Sequence, residues 1–249
     1  MATATTMATV GIIMSKEPWR YPQLALLRLQ SWLSPAFPTG AYSYSHSLEW
    51  AVEAGHIKDR ESLVDWLEAD LCLGSGRNEA IFFSEAWRSA YDEDSAKLFE
   101  IAELAAAFRG TSEFALESSQ QASACRATLR HVWPEGLLES VSQLLSQRHV
   151  PAALAVVLGI RSGREGIPLS FALPAFLQSH IANLVTAGVR LVPLGQTDGQ
   201  LAIAALEEAV LAASARGRSA TIDDLGSAAF MVDLASMAHE TQYTRLFRS

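Results

Sequence analysis

The apolar positions of the chain follow a helical period almost throughout. In Arg60–Leu73, leucine, valine and tryptophan side chains recur at spacings that place them on one stripe of a 3.6-residue helix. Asp59 precedes this run and can accept hydrogen bonds from the first free amides, and Gly74 suits a left-handed residue after the last turn. The pattern therefore predicts a helix with a signal at each end.

The same period predicts helices along the rest of the chain. No run of four to eight residues alternates apolar and polar positions with β-branched enrichment, so no strand is predicted. Proline is expected to open the helix at Pro151, and Pro174 is expected to kink or restart its helix. The predicted helices span residues 24–33, 41–54, 60–73, 78–90, 93–108, 112–131, 136–146, 151–161, 169–191 and 198–215, with a last one beginning near 221. The prediction is an all-α fold, a single domain of about ten helices in a bundle over residues 23–249, after a mobile N-terminal extension at 1–22.

Composition narrows the possible partners. Apolar residues make up 49% of the chain and charged residues 18%, which is below the usual share of about 25% and indicates large buried surfaces. The net charge is −8, and the 19 basic residues form no cluster, so a nucleic-acid partner is not expected. Cys72 and Cys125 lie far apart among apolar neighbours, which favours free thiols and a cytoplasmic location.

One long uncharged stretch raises the question of a membrane span. Residues 167–189 contain no Asp, Glu, Lys or Arg, and their length would permit a span. However, polar side chains fall in the middle and two prolines interrupt the stretch, and polar groups are costly in hydrocarbon. A buried helix is favoured over a membrane-embedded bundle.

The sequence lacks the common catalytic signatures. No lysine follows a glycine, so a P-loop is excluded, and Gly74-Ser75-Gly76 continues into Glu79 rather than a dinucleotide fingerprint. That glycine pair is interpreted as a turn between helices. A nucleophile elbow and a paired-cysteine zinc site are also absent. No cofactor and no metal ligand is predicted.

Two pairs of histidine and glutamate keep an enzyme hypothesis open. His46 and Glu49 are three residues apart and would share one face of a predicted helix, whereas His239 and Glu240 are adjacent and would point apart. Hydrogen-bonded or surface roles are favoured for both pairs. The alternative is a small helical metal-dependent hydrolase that uses all four residues. The remaining histidines, His180 among them, are interpreted as structural.

Three segments have the composition of contact surfaces rather than of reactive sites. The first, residues 34–50, combines a turn rich in proline and glycine with tyrosines that offer an apolar ring and a polar tip. The second, residues 192–200, joins two apolar helices and carries hydrogen-bonding side chains. Each could equally be a packed interhelix loop. The candidate contact residues are Pro38, Gly40, Tyr42, Tyr44, His46 and Glu49 in the first segment, and Gln196, Asp198 and Gln200 in the second.

The third segment, His239–Ser249, is unusually apolar for the end of a sequence. Leu246 and Phe247 would each forgo roughly 1.5–3 kcal/mol of burial if left in water. Arg245 and Arg248 could pair with carboxylates. Docking on another chain is favoured over docking on the chain's own domain. The candidate contact residues here are His239, Glu240, Tyr243, Arg245, Leu246, Phe247 and Arg248.

Taken together, these segments resemble the urease accessory protein family UreF. The family's motifs are similar to Trp32–Glu49, Arg190–Gln200 and His239–Ser249 in order, spacing and position. The resemblance extends over residues 24–249. Ser47 stands where the family usually has glycine, which concerns how closely that helix is approached. Residues 77–148 carry no motif of their own.

The resemblance implies an adaptor without chemistry of its own. UreF-like proteins are all-helical and cytoplasmic, bind the accessory protein UreD (UreH in some species) and recruit the GTPase UreG. The assembly loads nickel into apo-urease at the expense of GTP, and the family dimerises within it. Modulation of UreG and passage of nickel through the complex are further implied roles. An arginine finger from Arg245 or Arg248 is not favoured, because docking explains both residues.

Overall fold

Twelve α-helices and two short 3₁₀ helices make up residues 22–249, the part of the chain that the computed structural model describes. The predicted extension at 1–22 lies outside these residues except for Pro22, which begins the first helix. Within residues 22–249 there is no strand. The α-helices are α1 Pro22–Trp32, α2 Leu48–Glu53, α3 Arg60–Leu73, α4 Ser75–Tyr91, α5 Ser95–Ala107, α6 Ser112–Val132, α7 Gly136–Gln147, α8 Leu154–Arg164, α9 Leu169–Leu191, α10 Gln196–Ala205, α11 Glu207–Ser219 and α12 Phe230–His239, and the 3₁₀ helices are Ala41–Ser43 and Ile222–Asp224. The all-α prediction is confirmed.

Side-chain caps explain where several helices begin. Asp59 accepts from the Ser62 amide at 2.9 Å, and the Ser62 hydroxyl accepts from the Asp59 amide at 3.2 Å, which closes a capping box at the start of α3. The Thr111 hydroxyl accepts from the Phe114 amide and so caps α6. The predicted ends of α3 and α9 agree with the structure.

Other boundaries differ from the prediction. Pro151 does not open a helix; α8 begins three residues later, at Leu154. Pro174 lies inside α9, which continues through it, so the proline does not restart the helix. The predicted helix at 198–215 is two helices that meet at Leu206. Gly74 has φ −109°, not a left-handed value.

Gly74 is required by close approach rather than by its backbone angle. A β-carbon there would lie 2.7 Å from Asp70 Oδ1 and 2.9 Å from the Ala229 β-carbon. The residue is the only one between α3 and α4, and α4 begins at Ser75. The glycine pair therefore serves the helix junction predicted from the sequence, and it brings Asp70 against the start of α4.

The core is organised around the contact between α4 and α8. A β-carbon at Gly159 would lie 2.6 Å from the Phe83 carbonyl oxygen, and one at Gly163 would lie 2.5 Å from that of Trp87. These glycines let the two backbones approach more closely than any other residue would permit. Residues 155–163 of α8 are all buried, so this helix is central.

The helices around this core border a cavity together with parts of α4 and α8, and they frame the functional region. α12 packs on α2 and α6, while α9 packs on α2 and on the 3₁₀ helix at 41–43. A cavity of about 830 Å³ lies among the turn at 33–42, the start of α4, α6 and α9. The polar side chains considered below surround this cavity and the contact between α12 and α2.

Candidate functional site

The segment after Gly40 is a turn, not the predicted helix over 41–54. A 3₁₀ helix at 41–43 is followed by extended Tyr44, and α2 begins only at Leu48. His46 and Ser47 have φ values of +54° and +72°, in the left-handed region that breaks a right-handed helix. His46 and Glu49 therefore do not share a helical face, and their side chains enter different clusters.

Ser47 has a backbone conformation that glycine adopts more easily. Its side chain is fully buried, and its hydroxyl has no hydrogen-bond partner in the structure. The family usually has glycine at this position, and the serine was expected to affect only how closely the helix is approached. That expectation is incomplete, because the backbone angle itself favours glycine.

We expect Ser47→Gly to stabilise the protein by about 1 kcal/mol. The substitution removes left-handed strain and an unpaired hydroxyl, which together outweigh the greater freedom of glycine in the unfolded chain. The free energy of unfolding in denaturant measures the change. Ser140→Gly on the exposed face of α7 serves as the control and should destabilise by roughly 0.5 kcal/mol. A loss of stability in Ser47→Gly would contradict this account.

The C-terminal segment, residues 240–249, docks on the chain's own turn through backbone hydrogen bonds. The Arg248 amide donates to the Ser43 carbonyl at 2.9 Å, and the Ser45 amide donates to the Ser249 carbonyl at 2.7 Å. Glu49 accepts from the Leu246 amide at 2.6 Å and from the Phe247 amide at 2.8 Å. The chain itself thus supplies a docking surface that was expected on another chain.

A buried row of side chains, in which carboxylates alternate with basic groups, fastens the start of this segment. The His239 ring is fully buried, with Nε2 3.2 Å from Glu49 Oε2 and Nδ1 2.7 Å from Glu113 Oε2. Arg245 donates to the other oxygen of Glu113 at 2.9 Å. Burial raises the pKa of Glu113, and His239 and Arg245 oppose that effect. The row connects α2, α6, α12 and the C-terminal segment.

His46 belongs to a second buried cluster, centred on Glu117. Its Nδ1 lies 3.0 Å from Glu117 Oε2, its Nε2 lies 2.6 Å from the Ser75 hydroxyl, and its ring stacks on Phe114. Burial lowers the pKa of His46, but the charge and hydrogen bond of Glu117, with the charge of Asp70, outweigh burial and raise the pKa to about 9. Burial raises the pKa of Glu117, yet the charge of His46 makes the net shift downward.

Further contacts join the C-terminal segment to both predicted tyrosines. The Ser249 hydroxyl donates to Glu117 Oε2 at 3.0 Å. Gln120 Oε1 accepts from the Tyr44 hydroxyl at 2.9 Å and from Arg248 at 3.2 Å. The Arg190 guanidinium lies over the ring of buried Phe247, and it donates to the Tyr42 carbonyl at 2.9 Å. The first and third predicted segments therefore form one structural unit.

The predicted contact residues divide into an interior set and a surface set. Those that hold the turn and the C-terminal segment together are buried: Tyr44, His46, Glu49, His239 and Phe247. Tyr243 is fully exposed, Tyr42 is 75% exposed and Leu246 is 61% exposed. Pro38, Glu240, Arg245 and Arg248 are also exposed, and Gly40 is half-buried. Only the surface set is free to touch a partner while the segment stays docked.

The second predicted segment lies apart from this unit, at the start of α10. Asp198 Oδ2 accepts from the Gly195 amide, and Arg60 donates to Asp198 Oδ1 at 3.0 Å. Gln196 and Gln200 are exposed at this end of α10. Asp198 is not in an interhelix loop but in the first turn of α10, whose N-cap is Gly195, and Gln200 also lines the cavity.

Sequence reasoning missed the α6 residues that complete both clusters. Glu113, Glu117 and Gln121 are buried on one face of α6 at four-residue spacing. This polar stripe faces the interior, although residues 77–148 carried no recognised motif. The four-residue spacing was the only signal available in the sequence. It does not distinguish a buried polar stripe from a solvated helix face, because both have the same pattern.

A second missed feature is the exposed apolar face of α12. Phe230 is 70% exposed, Leu234 is 53% exposed and Met237 is 50% exposed, and they lie beside Met231 at helical spacing. The opposite face of α12 is buried through Val232, Ala235, Ser236 and His239. A helix that is apolar on both faces usually has partners on both sides.

The four residues of the hydrolase alternative are not brought together. Glu49 and His239 are in contact, but both are engaged by the docked segment and Glu113. His46 faces Glu117 instead, and Glu240 is exposed and accepts from the Ser112 hydroxyl at 2.6 Å. Their geometry serves docking and does not surround a substrate.

The thiols and the long uncharged stretch complete the account of the predictions. Cys125 is buried, and burial raises the pKa of its thiol to about 12, whereas Cys72 is half-buried beside Arg216. The stretch at 167–189 lies mainly in α9. Among the helices described between residues 22 and 249, none combines the length and apolarity needed to cross a bilayer.

An all-α domain whose buried acids and histidines hold its own last residues, and whose last helix leaves an apolar face exposed, has the features of an interaction protein. Comparison with known proteins identifies the family. The sequence model of the UreF family matches residues 57–207. A urease accessory protein UreF from Rhodopseudomonas palustris (strain BisB5) is 50% identical over 226 residues, which are 90% of this chain and 91% of the relative. One from Bradyrhizobium diazoefficiens is 46% identical over 225 residues, covering 90% of this chain and 92% of the relative.

The chain therefore belongs to the UreF family of urease accessory proteins. It is an accessory protein and not an enzyme, in agreement with the use of its buried charges for docking. The resemblance inferred from the three sequence segments is confirmed at the level of the family.

Proposed function

We propose that this protein is an adaptor in urease maturation that binds UreD (UreH) and thereby recruits the GTPase UreG for GTP-dependent nickel insertion into apo-urease. It acts in the cytoplasm, as a homodimer within the assembly. Membership of the family supports this proposal. We propose further that the protein modulates the GTPase activity of UreG within this assembly.

The observation that carries the proposal is the set of large apolar side chains that α12 and the C-terminal segment leave exposed. We define the α12 face as Phe230, Met231, Leu234, Met237, Tyr243 and Leu246, all of which are exposed. Large apolar and aromatic side chains grouped in this way mark protein interfaces, where Tyr, Phe and Met are enriched. We assign the α12 face to UreD.

The buried clusters give this surface its shape. The backbone of Leu246 is held in place because its amide donates to Glu49. Tyr243 lies in the sequence between His239 and Arg245, which are both bound to Glu113. Because the backbone is fixed before a partner binds, the entropic cost of ordering the segment is already met within the chain. The segment therefore favours a docking surface that is formed before the partner binds.

The buried residues of the first and third segments support the surface from within and do not themselves touch UreD. Pro38, Tyr42 and Arg248 are exposed as well, and we assign them to the rim of the same contact. We assign Gln196 and Gln200, at the start of α10, to a separate contact within the assembly.

Single alanine substitutions in the α12 face test the proposal without disturbing the fold. Leu234→Ala and Leu246→Ala are each expected to weaken UreD capture roughly 30-fold or more, because central apolar anchors contribute about 2 kcal/mol or more to an interface. Both side chains are more than half exposed, so the midpoint of unfolding should hardly change. The measurement is co-purification and titration with UreD, followed by addition of UreG.

Leu211→Ala is the matched control, since Leu211 is 62% exposed on α11, away from the α12 face. Its capture of UreD should equal that of the unmodified chain. Deletion of residues 243–249 should abolish UreD-dependent recruitment of UreG. Full capture of UreD by Leu234→Ala and Leu246→Ala would refute the assignment of the α12 face.

A further inference from the structure

Three potential metal ligands from separate elements converge beside the cavity. His46 comes from the turn before α2, Asp70 from the last turn of α3 and His180 from the middle of α9. One donor atom from each can be chosen so that all three lie within 4.8 Å of one another. His180 was interpreted from the sequence as an isolated structural histidine, and only the fold brings it to His46.

Two of these donor atoms are buried without a hydrogen-bond partner. Neither Asp70 Oδ2 nor His180 Nε2 has a hydrogen-bond partner within 3.5 Å; the two atoms face each other at ion-pair distance, 3.8 Å apart. Burial raises the pKa of Asp70, but His180 helps to lower it. Asp70 is 1% exposed. Leaving buried polar atoms unpaired costs about 1–3 kcal/mol each, so such atoms usually indicate a missing partner. Both point into the space between them, where an ion would satisfy them together.

The groups behind His46 orient it as metal ligands are oriented elsewhere. Glu117 holds Nδ1 at 3.0 Å, which leaves Nε2 facing Asp70 Oδ1 at 3.9 Å. A carboxylate on the far nitrogen fixes the ring and strengthens the donor. Nε2 now contacts the Ser75 hydroxyl, but that hydroxyl also donates to Asp70 Oδ1 at 2.8 Å and would keep this bond.

Charge and geometry both suit a dication. Asp70 and Glu117 bring two buried carboxylates to one place, and a dication would balance both. Donor atoms around an ion at 2.0–2.2 Å are roughly 3.4 Å apart, whereas the three donors here lie within 4.8 Å of one another, so binding an ion requires side-chain shifts of about an ångström. His46 and His180 both line the cavity, so remaining coordination positions are open to water.

We propose that His46, Asp70 and His180 bind one divalent transition-metal ion. Two imidazole nitrogens and one carboxylate oxygen favour ions such as Zn²⁺ or Ni²⁺ over Mg²⁺ and Ca²⁺, which prefer oxygen ligands. Binding replaces the proton on His46 Nε2, which leaves as the metal–nitrogen bond forms. The site belongs to the isolated chain and does not depend on the proposed contacts with UreD or UreG.

The test is metal titration of the purified full chain without a histidine tag. Isothermal titration calorimetry at pH 8 with NiCl₂, ZnCl₂ and MgCl₂ should give one tight site for Ni²⁺ or Zn²⁺ and none for Mg²⁺. His180→Asn should lower the affinity about tenfold or more, because it removes a ligand that makes no other hydrogen bond. Its far-ultraviolet circular dichroism and unfolding midpoint should match those of the unmodified chain.

Two further variants separate this site from adventitious binding at surface histidines. His149→Asn is the control, since His149 is exposed with a left-handed φ of +56°, which asparagine tolerates. It should leave the affinity unchanged. Glu117→Gln should lower the affinity about 10- to 100-fold with the stoichiometry retained. Absence of Ni²⁺ and Zn²⁺ binding, or equal affinity in His180→Asn, would overturn the proposal whatever the result of the UreD experiments.

Discussion

Replacing Glu49 by alanine is expected to release the C-terminal segment and to lower the free energy of unfolding by about 3–5 kcal/mol. Glu49 is the single acceptor for the Leu246 and Phe247 amides, and it also faces His239 Nε2. Its loss leaves two amides and a buried ring nitrogen without their acceptor. Phe247, which is only 4% exposed, would then leave its buried position under the Arg190 guanidinium.

Two measurements resolve this effect. Denaturant unfolding gives the change in stability, and amide hydrogen exchange of residues 246 and 247 reports whether the segment is still docked. Glu53→Ala is the matched control, because Glu53 is exposed and accepts from Gln242 in the same segment. It should cost less than about 0.5 kcal/mol and leave the exchange rates unchanged.

An unfolding free energy within 1 kcal/mol of the original, with slow exchange retained in Glu49→Ala, would show that Glu49 does not hold the segment. The same variant also tests whether UreD needs the docked conformation of the C-terminal segment in addition to direct contact with the α12 face. Glu49 does not belong to the α12 face, so a loss of UreD capture by Glu49→Ala would indicate that UreD requires the docked backbone.

Local signals predicted those parts of the fold that local chemistry determines. The Asp59–Ser62 capping box set the start of α3, and the uncharged apolar run set α9. The turn at 44–47 was missed because its apolar positions continue a helical period, while the left-handed backbone of His46 and Ser47 depends on contacts with distant residues. Pro151 was a misleading start signal: it is exposed, and α8 begins only at Leu154, after the buried Ala153.

The candidate site could be predicted only as separate pieces. Each contact that joins them links residues far apart in the sequence: His46 with Glu117 across 71 positions, and Ser249 with Glu117 across 132. Nothing local distinguishes buried Glu117 from a solvated glutamate on α6. The resemblance identified the three segments, but it did not show that two of them hold each other or that α6 supplies the acids between them.

The stability of the protein is expected to fall by about 3 kcal/mol as the pH rises from 6.5 to about 9.5. His46 has a pKa of about 9 in the folded chain and an ordinary value of 6.5, and the difference between the two corresponds to that free energy. Because the folded value is the higher one, the stabilisation is fully present below pH 6.5. It is lost as the pH rises through 9.

The groups that face His46 explain the direction of this effect. Burial alone would favour the neutral ring, but Glu117 on α6, Asp70 on α3 and Glu79 on α4 place negative charge around it and outweigh burial. His180 on α9 lies at the edge of the ring and is the other titratable group of the cluster. The protonated ring therefore stabilises the fold most where these carboxylates are ionised.

His46→Asn isolates the contribution of the ring, since asparagine tolerates the left-handed backbone at this position. Unfolding free energies of the variant and the unmodified chain, measured in denaturant from pH 6 to 9.5 with a metal chelator present, give the difference directly. The variant should be less stable below pH 6.5, and the gap between the two proteins should narrow by about 3 kcal/mol towards pH 9.5. A gap that stays constant across this range would mean that His46 does not carry the proton, and that Glu117 and Asp70 are balanced by other charges.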